Sequence, residues 1–277
     1  MAAVETKFFD YDRKEVEYLS QSDPVLGAAI ARFGRVEREI IPDLFAALVN
    51  AIIGQLVSVG SAKTVWNRMQ ESLGDITPEN LSAVSADDIQ RCGMIMKKAV
   101  TISELSKDIL QGKIRLGDLR ELPDQEVIRY LTTIKGVGLW TAEMLLINCM
   151  ERPDVVSWGD IAIRRGMEKL YGFPKLTKDQ FEVCKSRYSP YGSVASIYLW
   201  KISTLNNERR CITMLTEEEK WKAALECDAS YDGRFYYGVK TTGIFCRPSC
   251  KSKSPKRENI EFFDTAEQAR ESGLRPC

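Results

Sequence analysis

Histidine is absent from this 277-residue chain. Its absence excludes Ser-His-Asp hydrolases, histidine-ligated metal hydrolases and the zinc deaminases that need a His-x-Glu motif. Acid–base chemistry is therefore left to Asp, Glu, Lys, Tyr or Cys. Long apolar runs are lacking as well, so no segment of the sequence reaches the length of a membrane span. The N-terminal sequence MAAVETKFFDYDRKEVEYL has acidic residues and no apolar core, unlike a signal peptide, and we expect a cytoplasmic protein.

Net charge is missing too, because 39 Lys and Arg balance 39 Asp and Glu. Global charge thus indicates no partner, and a nucleic-acid binder would need local basic patches. The chain is 44% hydrophobic and 28% charged, which is typical of a folded globular protein. Its eight cysteines are, in a reducing compartment, more often buried or metal-bound than paired in disulfides.

Helical spacing of apolar residues continues from Asp43 to about Leu199, without sustained strand-type alternation. We therefore predict a mostly α protein whose first domain covers residues 1–207. A polar run then indicates a linker at residues 208–215. Beyond it, the alternating segment FYYGV and the turn residues that follow predict a small α+β domain over residues 216–277.

The stretch TTIKGVGLWTAEMLL interrupts its helical spacing with Gly136-Val137-Gly138. Two glycines allow the chain to reverse and to aim successive N–H groups outward, and a second helix is predicted to start at about Leu139. Main-chain donors at such a helix N-terminus bind phosphate and can hold a DNA backbone without reading its sequence. Lys135 adds a cation for the same phosphate. The tetrapeptide alone is equally compatible with a tight helix–helix turn that binds nothing.

A proline-containing loop, ERPDVVSWGD, and the helix IAIRRGMEKLYG follow this hairpin. Together with IIGQLVSVGSA, CGMIMKKAVTI and SPYGSVASIYLW, this order resembles the helix-hairpin-helix DNA glycosylase superfamily over residues 43–205, and in particular its 3-methyladenine DNA glycosylase II branch. The resemblance implies a mostly α fold that binds double-stranded DNA carrying alkylated bases and hydrolyses the N-glycosidic bond of an everted one. Leu56 departs from that branch, which usually has a second glutamine at this position.

The same resemblance implies that Asp160, at the end of the loop, is the catalytic aspartate. A simple helix cap is the alternative, and the two roles are compatible because a helix N-terminus stabilises a negative charge. A carboxylate can stabilise the oxocarbenium character of the sugar or align the attacking water. Asp154 lies earlier in the loop and is the weaker candidate.

Trp140 stands two residues after the second glycine, where bifunctional members have the lysine that forms a Schiff base. Because tryptophan cannot form an imine, we predict a monofunctional glycosylase. An electron-rich indole also attracts a cationic alkylated base, although a core aromatic residue is the alternative. Trp158 and Tyr130 are candidate pocket walls, and Gln55 is a candidate wedge or pocket residue.

The end of the chain carries a second pattern, in which Cys246-x3-Cys250 and the distant Cys277 can supply thiolates to Zn²⁺. The pieces DGRF, VKTTGIFCRPSC, REN and GLRPC resemble the zinc-binding methylphosphotriester-repair domain of the Ada family. That resemblance implies that Cys246 accepts a methyl group from a backbone phosphotriester. Arg247 and the KSKSPKR patch would hold phosphates. A zinc clip without methyl transfer is the alternative.

Two departures concern the cysteines. The Ada pattern continues RPC-x-x-C, whereas this sequence stops at Cys277, so Cys227 or water would have to act as fourth ligand, or the domain is inactive. Iron–sulfur relatives of the glycosylases carry four closely spaced cysteines behind the helical domain. Cys184 and Cys211 are too sparse to match them, and we predict no iron–sulfur cluster.

Both halves indicate methylated DNA, so we expect a monomeric repair enzyme that excises 3-methyladenine-type bases. One alternative is a non-catalytic protein that binds damaged DNA through a zinc clip, and abasic-site formation distinguishes it. The other is an oxidised-base glycosylase of the same fold, which a comparison of 8-oxoguanine with 3-methyladenine distinguishes.

Overall fold

A computed structural model describes residues 4–205, 217–232, 235–252, 255–263 and 265–277. The chain divides into two compact units, Met1–Glu168 with Pro174–Thr204, and Lys169–Phe173 with Leu205–Cys277. The predicted linker at residues 208–215 lies outside the described residues.

Helices dominate the first unit, which confirms the mostly α prediction. In chain order, the helices up to Ser203 are α1 (Arg13–Ser22), α2 (Pro24–Phe33), α3 (Leu44–Gly54), α4 (Val59–Leu73), α5 (Pro78–Ala83), α6 (Ala86–Arg91), α7 (Met96–Leu110), α8 (Asp124–Leu131), α9 (Leu139–Asn148), α10 (Ile161–Tyr171), α11 (Lys178–Tyr188) and α12 (Gly192–Ser203), with a 3-10 turn at Gly117–Glu121. Side-chain caps start several of them. Thr77 caps α5 and Ser85 caps α6, each by accepting from a backbone amide three residues later.

Helix α3 is the central helix of the first unit. Its sequence LFAALVNAIIG contains no charged residue, and Leu48, Val49, Ile52 and Ile53 are buried. It packs against α4, α7 and α9. Burying each of these side chains contributes about 1.5–3 kcal/mol, so α3 is held firmly and its C-terminal end has a defined position.

A two-stranded antiparallel sheet, β1 (Lys7–Phe8) with β2 (Glu39–Ile40), also belongs to the first unit. The sequence pattern did not predict it, because two-residue strands are too short to show alternation. Next to it, the amide of Phe9 donates to the carbonyl of Arg38 at 2.8 Å. The sheet therefore fixes the backbone at Arg38.

The second unit contains α13 (Glu217–Leu225), β3 (Tyr236–Val239), β4 (Ile244–Cys246), β5 (Ile260–Phe263), α14 (Ala266–Glu271) and β6 (Arg275–Pro276), with 3-10 turns at Ala229–Tyr231 and Arg257–Asn259. The strand order is β5-β3-β4-β6, with β4 and β6 parallel and the other pairs antiparallel. This is the predicted α+β module. Phe235 and Tyr237 pack in one small core, and Phe245 and Phe263 pack in another.

Among the described residues, no helix combines the length and the apolar character that crossing a membrane requires.

Candidate active site and metal centre

Asp160 lies at the N-terminus of α10 and is only 7% exposed. Its Oδ1 accepts from the amide of Ile163 at 2.8 Å and from the indole Nε1 of Trp200 at 3.3 Å. Its Oδ2 accepts from the indole Nε1 of Trp140 at 2.9 Å. An ionised carboxylate only accepts hydrogen bonds, and all three partners are donors, so the surroundings match that state. Asp160 therefore caps its helix and also presents its oxygens to two aromatic side chains.

Trp140 occupies the first turn of α9, and its indole is half-buried. A Cβ added at Gly159 would lie 3.2 Å from the Cβ of Trp140, and one at Gly54 would lie 3.7 Å from its Cη2. The indole thus fits between the end of α3 and the loop that carries Asp160. It is a partly open aromatic surface beside a carboxylate, and a residue buried wholly in the core would not offer that surface.

Trp200, on α12, is a site residue that the sequence analysis missed. The guanidinium carbon of Arg38 lies 4.3 Å from the centroid of its ring. Burial lowers the pKa of Arg38, and the charge of Asp160 opposes that shift. Trp200 ends the segment SPYGSVASIYLW, but nothing in that pattern singles out its indole. Arg38 precedes the segment that resembles the glycosylases, so only folding brings it to the site.

The glycine hairpin lies between α8 and α9. Gly136 has φ +84°, and a Cβ there would lie 2.7 Å from the Oγ1 of Thr101 on α7, so both the backbone conformation and the close packing require glycine. Val137 is buried beneath the turn. Gly138 is the N-cap of α9 and has no side chain that could accept from the amides of the first turn. That these amides bind phosphate stays a prediction.

Gln55 connects the end of α3 with this hairpin. Its Nε2 donates to the carbonyl of Gly136 and to the Oγ1 of Thr141, both at 3.0 Å. The structure therefore places Gln55 as a brace between the end of α3 and the hairpin. Lys135 is exposed, and its Nζ lies 3.1 Å from the Oε2 of Glu104, a surface ion pair that a phosphate can replace.

Leu56, Val57 and Val59 form an exposed apolar tip between α3 and α4, beside Gln55. Leu56 is 99% exposed and has φ 57°, which is uncommon for a residue with a side chain. The Nζ of Lys98, a residue only 8% exposed, donates to the carbonyls of Ile53 at 2.8 Å and Gln55 at 2.6 Å. Lys98 thereby satisfies the C-terminal carbonyls of α3 and fixes the tip. Burial lowers the pKa of Lys98.

Trp158 and Tyr130, the two residues predicted to line the pocket, contact other parts of the first unit. Trp158 packs edge-to-face on Phe181, with centroids 5.1 Å apart, and the guanidinium of Arg164 lies 5.2 Å from its ring centroid. The hydroxyl of Tyr130 accepts from the amide of Arg115 at 2.8 Å, so Tyr130 braces the segment after α7. Among the described residues, no hydrogen bond joins Tyr130 to Asp160.

Two further carboxylates, Asp154 and Glu143, have hydrogen-bond partners of their own. Asp154 accepts from the hydroxyl of Ser189 at 2.6 Å and from the amide of Gly192 at 3.1 Å, which braces the loop. Glu143 accepts from the hydroxyl of Ser157 at 2.5 Å. Burial raises the pKa of Glu143, and the charge of Asp160 adds to that rise.

In the second unit, the sulfurs of Cys246, Cys250 and Cys277 all lie within 4.8 Å of one another. The sulfurs of Cys250 and Cys277 are 3.9 Å apart. Tetrahedral zinc with Zn–S bonds of about 2.3 Å requires sulfurs roughly 3.8 Å apart, so the three thiols fit a zinc ion. Burial raises the pKa of the metal-free Cys246 thiol, and neighbouring thiols add to the rise, so a bound cation would be needed to keep it deprotonated at neutral pH.

Cys227 and Arg247 belong to the same domain as this cysteine cluster, whereas Cys184 does not. The Sγ of Cys227 donates to the carbonyl of Cys250 at 3.2 Å, outside the group of three sulfurs. The exposed Arg247 has its Nε 3.6 Å from the Oδ2 of Asp232. Cys184 is buried in the first unit, and Cys211 lies outside the described residues. The absence of an iron–sulfur cluster stays a prediction.

Comparison with known proteins identifies the first unit. The family model for HhH-GPD superfamily base excision DNA repair proteins matches residues 49–186. DNA-3-methyladenine glycosylase 1 of Schizosaccharomyces pombe is 30% identical over 170 residues, which cover 58% of this chain and 73% of that protein. The chain belongs to the HhH-GPD superfamily.

Solved structures agree with this membership. An S. pombe 3-methyladenine DNA glycosylase in complex with abasic DNA matches with a TM-score of 0.65 and 27% identity. The match covers 70% of the present chain and 98% of the S. pombe chain. A DNA-3-methyladenine glycosidase from Bacillus halodurans matches with a TM-score of 0.62 and 31% identity, over 74% of the present chain and 97% of the B. halodurans chain. These similarities confirm the helix-hairpin-helix glycosylase fold.

The C-terminal part of this HhH-GPD protein matches a different family model, the metal binding domain of Ada, over residues 219–277. The bifunctional transcriptional activator/DNA repair enzyme AdaA of Bacillus subtilis is 48% identical over 73 residues, which are 26% of this chain and 33% of AdaA. The chain thus spans about a third of the length of this Ada relative. The match and the three clustered thiols support Zn²⁺ as the metal of this domain.

Proposed function

We propose that this HhH-GPD protein excises alkylated bases of the 3-methyladenine type from double-stranded DNA by hydrolysing the N-glycosidic bond. The observation that carries the proposal is the buried Asp160 carboxylate, held between the indole N–H groups of Trp140 and Trp200 at a helix N-terminus. The relatives named as 3-methyladenine glycosylases support the same lesion class.

Binding of the duplex follows from the hairpin and the apolar tip. Main-chain amides at the start of α9 hold a backbone phosphate, and Lys135 exchanges Glu104 for that phosphate. The target base must leave the stack to reach Asp160, because that carboxylate is buried. Leu56 is the exposed apolar side chain that can fill the space left in the duplex, as inserted wedges do in other DNA-binding proteins.

Release of a cationic alkylated base requires little acid catalysis from the protein. As the bond between C1′ and the base nitrogen breaks, its electron pair goes to the base, so a cationic alkylated base leaves as a neutral molecule without needing an acid. Asp160 stabilises the positive charge that develops on the sugar, orients the water that attacks C1′, and accepts the proton that this water loses as the C–O bond forms. Because Trp140 stands where an amine would be needed for an imine, the product is an abasic site in an intact strand.

We propose a second activity for the Ada-type domain, in which Cys246 accepts a methyl group from a DNA phosphotriester. The three thiols that fit zinc support it. Bound zinc would keep the thiols deprotonated at neutral pH. The Cys246 sulfur attacks the methyl carbon, a C–S bond forms, the C–O bond breaks, and the phosphodiester leaves as an anion. Arg247, whose Nε lies 3.6 Å from the Oδ2 of Asp232, would exchange that carboxylate for the phosphate.

We further propose that one chain acts alone in the cytoplasm. A single copy of the first unit holds Asp160, both indoles and the hairpin, so no partner is needed to complete the site.

An excision assay on defined duplexes tests the proposed function. Duplexes containing 3-methyladenine, 7-methylguanine, 8-oxoguanine or no lesion are incubated with the protein, with Asp160→Asn as the control. We expect alkali-labile abasic sites from the methylated bases and no strand cleavage without alkali. Binding without abasic sites would instead support a damage-binding protein, and release of 8-oxoguanine alone would support an oxidised-base glycosylase.

A further inference from the structure

Arg38 lies against the candidate active site although the chemistry above does not use it. Its guanidinium carbon is 4.3 Å from the centroid of Trp200, the residue whose Nε1 donates to Asp160. Its Nε donates to the Oδ1 of Asn148 at 2.9 Å, and its carbonyl accepts from the amide of Phe9 at 2.8 Å. Backbone and side chain are both anchored, so one face of Trp200 is covered by a permanent cation.

This arrangement changes what the other face of Trp200 can attract. A bare indole face attracts a cation through the negative potential of its ring. A guanidinium stacked on one face offsets that negative potential with its own positive charge. A base stacked on the opposite face, roughly 3.5 Å from the ring, would lie about 8 Å from the guanidinium. A cationic base is repelled there, whereas a neutral base is not.

We propose that Arg38 sets the charge selectivity of base binding beside Asp160, lowering the preference for a cationic alkylated base relative to a neutral damaged purine. The inference rests on the proposed function, since it concerns the base that Asp160 releases. It makes Arg38 a positioning and specificity residue that need not touch the reacting atoms.

The expected change in relative binding follows from the distance between the guanidinium of Arg38 and the stacked base. Two unit charges about 8 Å apart at an effective dielectric constant near 20 would alter relative binding by roughly thirtyfold. Because Arg38 is half-buried and solvent weakens the repulsion, we expect about five- to tenfold.

The test compares two lesions in the same duplex sequence, 7-methylguanine as the cationic base and hypoxanthine as the neutral one. Single-turnover excision rates are measured for the wild type, Arg38→Met and Arg38→Gln, which remove the charge, and Arg38→Lys, which keeps it. Arg35→Met is the matched control, because Arg35 stacks on Tyr11 at 4.5 Å in the same segment. Intrinsic differences in lability cancel when the ratio of the two rates is compared between variants.

Loss of the charge should raise the ratio of 7-methylguanine to hypoxanthine excision about five- to tenfold, while Arg38→Lys and Arg35→Met keep the wild-type ratio. An unchanged ratio in both neutral variants, or the same change in Arg38→Lys, would overturn the inference and leave the proposed function intact. A wild type that excises neither lesion nor 3-methyladenine would overturn the proposed function and the inference with it.

Discussion

Replacing Asp160 with asparagine removes the charge of the candidate active site while keeping its shape. The amide oxygen can take the place of Oδ1 and keep the bonds from Ile163 and Trp200. The amide NH₂ then takes the place of Oδ2, 2.9 Å from the indole N–H of Trp140, so that two donors face each other. Such an unsatisfied buried contact costs about 1–3 kcal/mol of stability, and we expect a lowered melting temperature with the fold retained.

The loss of excision should be far larger than this change in stability. A carboxylate about 4 Å from the developing positive charge, at an effective dielectric constant near 20, stabilises the transition state by about 4 kcal/mol. That corresponds to roughly a thousandfold in rate. DNA affinity should change little, because the hairpin binds through main-chain groups.

The assay measures single-turnover release of 3-methyladenine from methylated duplex, together with thermal melting and binding to duplex. A second substitution, Trp140→Phe, removes the facing donor. In the Asp160→Asn background it should therefore cost less stability than in the wild type, by about 1–2 kcal/mol. It should not restore excision, since the charge is still missing. An Asp160→Asn protein that releases the base within about tenfold of the wild-type rate would refute the role of the carboxylate.

Other predictions concern the tip, the hairpin and the metal centre. Leu56→Ala should slow excision from duplex by about tenfold or more and leave excision from single strands nearly unchanged, because only a duplex has a gap to fill; equal losses on both would contradict this. Gly136→Ala should destabilise the first unit by about 1–3 kcal/mol, measured by denaturant unfolding, because of its φ of +84° and the clash with Thr101. Thr101→Ala in that background removes the clashing Oγ1 and Cγ2 and should recover only the steric part. Metal analysis should find about one zinc per chain, lost in Cys250→Ser, and no zinc in the wild type would remove the methyl-acceptor proposal.

Much of the organisation could be predicted from local sequence. The caps at Thr77 and Ser85, the start of α9 at Leu139 and the strands that carry FYYGV and IFC depend on residues within a few positions of one another. The two-residue strands of the first unit were not predicted, because their pairing depends on contacts between residues distant in the chain. Tyr130 was a candidate pocket wall, and this role stays a prediction. In the structure its hydroxyl accepts from the amide of Arg115, a contact that the local sequence pattern does not show.

The sequence by itself limited the chemistry that is possible. Without histidine, acid–base chemistry is left to Asp, Glu, Lys, Tyr or Cys, two glycines allow the hairpin to form, and three spaced cysteines can hold a zinc ion. Only the tertiary structure decided which side chains surround Asp160. Arg38, Trp140 and Trp200 come from β2's flank, α9 and α12, and packing around α3 brings them together. Local patterns report burial and turns, whereas an electrostatic environment depends on distances between residues far apart in the chain.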